Sequence, residues 1–104
     1  MKVKVEGYQY ELSNFEDKDS PGQVLQFIHK EPKTEGSPEL TTVTDGTTNE
    51  ELLEVLINRM YFLQSKFPCR ENAIVITKLE ESLMWLNKRI NDRKVRGIEG
   101  LAIK

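Results

Sequence analysis

The chain of 104 residues has 38% hydrophobic and 31% charged side chains and a formal net charge of −2, an ordinary balance for a single soluble globular domain spanning 1–104. Slight acidity argues against general nucleic-acid binding, so any anion-binding function has to be local. A lone cysteine, Cys69, excludes an intrachain disulfide, no apolar run reaches the ~18 residues of a membrane span, and no charged-then-apolar signal segment opens the chain, so a reducing cytoplasm is expected.

Residues 1–46 read as the β region. Lys2, Val3, Lys4 and Val5 alternate polar with apolar, and Tyr8, Tyr10 and Leu12 continue the two-residue period after Gly7, which predicts a strand or a bent pair. Asn14 to Gly22 carries Glu16, Asp17, Lys18 and Asp19 ahead of Pro21 and is expected to be a loop. Gln23 to Lys30 is rich in β-branched and aromatic residues and is expected to stop at Glu31 and Pro32, and Glu39 to Thr44 is expected to stop at Asp45 and Gly46. His29, the only histidine, has no second His or Cys nearby and reads as a packing or surface residue rather than a metal ligand.

A helical hairpin is expected over 47–97. Thr48 and Glu51 have the spacing of a capping box, in which hydroxyl and carboxylate satisfy backbone N–H groups that a helix start leaves unpaired. Leu53, Leu56, Met60 and Leu63 then form one stripe, and the helix should run to about Lys66 before Pro68. From Phe67 to Gly97 a second, longer helix is predicted, with Ile76, Leu79, Leu83, Leu86 and Ile90 at alternating three- and four-residue steps. So short a link makes the two helices antiparallel. The fold class is therefore α+β: short antiparallel strands followed by a long antiparallel two-helix hairpin. The last turns carry Lys88, Arg89, Arg93, Lys94 and Arg96 against a single Asp92, a patch that suits an anion.

The run PCRENAIVITKLEESLMWLNKRINDRKVRGIEG, preceded by DGTTNEELLEVLINRM and QFIHK, resembles the phage Thoeris anti-defence family of the first described type. Its most specific parts are CRENA, ITKLEE, MWLNKR and DRKVRGIEG, and the likeness runs from about Gln23 to Gly100. That family shares its hairpin with the anti-CBASS family, which sequesters cyclic oligonucleotides. The resemblance implies a sponge without catalytic residues, metal or cofactor, acting in the cytoplasm of the infected bacterium. It would be a homodimer or a hexamer that holds glycocyclic ADP-ribose made by Thoeris TIR proteins, and some members also hold cyclic di- or trinucleotides from CBASS enzymes.

Carried over position by position, the signal pocket falls on Phe62, Asn72, Arg89 and Arg93, and the cyclic-oligonucleotide pocket on Arg70. The residue types suit the ligand: an aromatic ring for the adenine face, an amide for polar edges, and guanidinium forks for the pyrophosphate. Each has a plainer reading. Phe62 would pack in the core, Asn72 would satisfy the helix start, and the arginines would complement the helix dipole. Trp85 reads as core or as a pocket wall, with the core preferred, and Cys69 as an inert helix-start residue rather than a nucleophile.

Asn72 and Arg89 stand 17 positions apart, about 25 Å along one helix at ~1.5 Å per residue. Phe62 and Asn72 flank the hairpin turn and are expected to meet within one chain. Antiparallel packing of two second helices would then bring that end of one copy to the Arg89 and Arg93 end of the other, giving two equivalent pockets. Two other functions compete. A hydrolase would need a metal cluster, a phosphate-cradling glycine loop or a Ser, His and Asp set, whereas Glu80 and Glu81 are adjacent and point about 100° apart on a helix. A regulatory hairpin binding protein or nucleic acid has only one basic helix end as a footprint, too little for DNA.

Overall fold

The computed structural model describes residues 1–104 and divides into two compact units, Met1–Thr48 and Asn49–Lys104. The first contains five short strands in two sheets. Strand β1 (Lys2–Val5) pairs antiparallel with β2 (Gln9–Glu11), and β2 with β3 (Val24–Gln26). The period-2 run at the start is thus a bent pair. It turns at Gly7, whose φ of 82° lies in the left-handed region, with the Tyr8 N–H donating to the Val5 carbonyl at 3.0 Å. Gly22 is required where the loop 12–23 closes: a Cβ there would lie 1.6 Å from the Leu12 carbonyl oxygen.

Strand β4 (His29–Pro32) pairs antiparallel with β5 (Leu40–Thr44) in a separate two-stranded sheet. The single strand expected over Gln23–Lys30 is therefore two strands in two sheets. The reason lies in the backbone at the junction, where Phe27 N–H donates to Tyr8 at 2.7 Å while Ile28 N–H donates to Thr47 at 2.9 Å. Two successive residues thus bond to different neighbours. Nor do Glu31 and Pro32 end the strand. Pro32 tolerates a strand position because a two-stranded sheet is all edge, and the ladder continues with Lys33 N–H donating to Glu39 at 2.8 Å. Half-buried aromatic rings fill this unit: Tyr10 meets Phe27 edge-on at 6.0 Å, and Tyr8 stacks on His29 at 3.6 Å. His29 also bonds Glu31 at 2.6 Å, which makes it a packing residue.

The second unit is the hairpin of α1 (Asn49–Lys66) and α2 (Arg70–Arg96). The second helix begins three residues later than expected. Phe67 precedes a proline, which disfavours helical backbone there, and Cys69 is the extended N-cap, its Sγ accepting the Asn72 N–H at 3.4 Å. Gln64 holds the link by donating to the Cys69 carbonyl at 3.1 Å and accepting its N–H at 3.0 Å. At the other end Gly97, φ 71°, closes α2 by a left-handed cap, with Ile98 N–H donating to Arg93 at 3.0 Å. Of the predicted stripes, Ile76 is buried, while Leu53, Met60, Leu63, Leu79, Leu83, Leu86 and Ile90 are half-buried and Leu56 is exposed. Ile76, 6% exposed, is the chain's one buried apolar side chain.

Candidate functional site

The C-terminal turns of α2 and the segment after them form an open cleft of about 270 Å³. It is lined by Trp85, Lys88, Arg89, Asp92, Arg93, Arg96 and Lys104. Helical phase puts them there. Trp85, Arg89, Asp92 and Arg96 follow one another at steps of four, three and four, which aligns them along one face. The cations differ in how far they are committed. Lys88 pairs with Asp92 at 2.9 Å, Lys94 lies 3.9 Å from Glu99, and Arg96 donates to the Lys104 carbonyl at 2.5 Å. Arg93 is 8% exposed and its guanidinium donates to the carbonyls of Ile98, at 3.0 Å, and of Leu101 and Ile103. Arg89 is exposed and enters no ion pair, so its fork is open to an incoming anion.

The other predicted positions lie elsewhere on the hairpin. Phe62 is 56% exposed, with Lys66 Nζ 5.6 Å over its ring. It stands nine positions from Leu53, about two and a half turns, and so on the face opposite the α1 stripe. Asn72 is half-buried in the first turn of α2, on the stripe side, its backbone engaged by the Cys69 cap. Both flank the turn but lie on different faces of their helices. Arg70 is exposed in a second shallow cleft of about 320 Å³ with Ala73, Ile74, Thr77 and Lys78. Because α2 is unbroken from Arg70 to Arg96, Asn72 and Arg89 remain about 25 Å apart.

Trp85, expected in the core, is 65% exposed. A signal for this was present: Trp85 stands nine positions from Ile76, again about two and a half turns, which puts it opposite the buried stripe. Lys104 and its place in the cleft had no signal, because they depend on the turn after Gly97. Glu80 and Glu81 have separate partners. Glu80 accepts the Tyr61 hydroxyl at 2.9 Å, and this bond, with desolvation and the carboxylate charge, raises the phenol above its ordinary pKa. Glu81 lies 3.8 Å from Lys78. No three His, Cys, Asp or Glu side chains gather in the chain, and no helix is long and apolar enough to cross a membrane.

The family model described as Acb2/Tad1, hairpin domain, matches residues 26–91, from the end of β3 through most of α2. The chain belongs to the Acb2/Tad1 hairpin family. Thoeris anti-defense 1 of Bacillus phage SBSphiJ7 is similar to it, 58% identical over 57 residues, which is 54% of this chain and 40% of that relative. The chain thus spans about two fifths of the length of the curated relative it matches. Within the Acb2/Tad1 hairpin match fall Phe62, Arg70, Asn72, Trp85 and Arg89, whereas Arg93, Arg96 and Lys104 lie beyond its end.

Proposed function

We propose that this chain is a phage anti-defence sponge that binds glycocyclic ADP-ribose in the cytoplasm of the infected bacterium and holds it without cleavage. The observation that carries this reading is the cleft beside Trp85, where Arg89 offers an uncommitted guanidinium to a pyrophosphate in a member of the Acb2/Tad1 hairpin family. The name of its phage relative supplies the biological setting.

At about 270 Å³ and open to one side, the cleft is smaller than pockets that bury a small ligand, commonly about 300–1,000 Å³. A second copy completes it. When two α2 helices lie antiparallel, the end of one subunit that carries Phe62 and Asn72 comes to the end of the other that carries Arg89 and Arg93, and two-fold symmetry makes two such pockets. Exposed apolar side chains on the hairpin, among them Val55, Ile74 and Met84, supply surface for further association toward a hexamer. The cleft at Arg70 and Lys78 is the corresponding place for cyclic di- or trinucleotides.

Calorimetry with glycocyclic ADP-ribose beside cyclic dinucleotides tests the reading. Saturable heat is expected with the first, and heat-denaturing the complex should return it chemically intact. Recovery of linear ADP-ribose would make the protein a hydrolase instead.

A further inference from the structure

An indole 65% exposed in the middle of an amphipathic helix needs a reason, since the hairpin partner has no access to it. Trp85 lies one turn before Arg89 on the same face and shares its cleft with Arg96 and Lys104. A flat π-face beside two guanidiniums and an ammonium is the chemistry that takes a base and its phosphates together.

We propose that Trp85 is the stacking platform for the purine of the bound nucleotide, so that Arg89 and Arg96 meet its phosphates; the role rests on the nucleotide-binding reading above. The indole holds the base against the side of α2, and the cations one and three turns on set where the pyrophosphate falls. Trp85 then selects for a ligand that bears a base over a bare pyrophosphate. It also explains a predominantly cationic cleft with one large aromatic wall, which pyrophosphate alone does not require.

Trp85 is the single tryptophan of the chain, so fluorescence excited to the red of tyrosine absorption reports on this position alone. Titration with glycocyclic ADP-ribose should quench it saturably, at the same midpoint as calorimetry, while inorganic pyrophosphate should leave it unchanged. Loss of base stacking in Trp85→Ala should weaken binding by about 5- to 150-fold, with Trp85→Phe recovering most of the loss. Melting temperature and sedimentation should stay as in the wild type, because the side chain is largely exposed.

Calorimetric binding without quenching, or wild-type affinity in Trp85→Ala, overturns the stacking role and leaves nucleotide binding standing. So does dissociation of the oligomer in Trp85→Ala, which would make the indole a contact between copies. Absence of calorimetric binding in the wild type overturns the nucleotide-binding reading itself, and this inference with it.

Discussion

Two arginines one turn apart on α2 have different employments. Arg93 is buried and gives its guanidinium to the carbonyls of Ile98, Leu101 and Ile103, so it holds the chain after Gly97 against the helix end. Arg89 is exposed and uncommitted. Arg89→Glu should therefore abolish calorimetric binding of glycocyclic ADP-ribose while changing stability by no more than about 0.5 kcal/mol, as expected of a surface position. Arg93→Ala leaves partly buried carbonyls without their donor, and should cost about 1–3 kcal/mol with faster amide exchange over 98–104. Lysine should not rescue it, because a single ammonium cannot span three carbonyls as the fork does. If Arg93→Ala melts like the wild type and only binding is lost, its clamp is dispensable and the side chain contacts ligand directly.

At the scale of the element, the hairpin is held by one stripe on each helix and by the Tyr61–Glu80 bond between them. Ile76 is the best-buried point of that seam, and Ile76→Ala should lower the unfolding free energy measured in denaturant by about 2–5 kcal/mol. Leu86 is only half-buried in the single chain and should cost less when truncated; an equal cost would mean that a partner helix covers it. The Tyr61 phenol is raised above its ordinary value chiefly because Glu80 accepts its hydrogen bond, then by desolvation and the carboxylate charge. A raised acid favours the folded state fully below its ordinary pKa and loses that contribution as pH climbs through the folded value. The melting-temperature gap between wild type and Tyr61→Phe should thus be constant from neutral pH up to about pH 10 and close above it. Absence of a gap at neutral pH would show that ring packing, which phenylalanine keeps, and not the hydrogen bond joins the helices.

For the whole molecule the decisive quantity is the length of α2. Its unbroken 27 residues keep Asn72 and Arg89 about 25 Å apart, so one chain cannot offer both to one nucleotide. A heterodimer of one chain carrying Asn72→Trp and one carrying Arg89→Glu separates the arrangements, given that each homodimer is inactive. If pockets are shared, one pocket collects both lesions and the other receives wild-type Asn72 and wild-type Arg89. A tagged, purified heterodimer should then bind about one ligand per dimer. Were each pocket built within one chain, every pocket would keep a lesion and no binding would return.

Both helices were legible in the sequence because their signals are local: three- and four-residue apolar steps, the proline at Pro68 and the glycine at Gly97 all act within a few residues of where they stand. The cationic end of α2 was legible for the same reason. Which strand pairs with which was not, since pairing joins distant residues, and a single apolar run over 23–30 does not reveal that Phe27 and Ile28 bond to different neighbours. Periodicity also says which residues share a face, but not what that face meets. Tertiary structure decided that Trp85 stands in solvent beside Arg89. It also decided that Arg93 is occupied by the chain that follows it, because a guanidinium's partners are fixed only when a turn brings their carbonyls within reach.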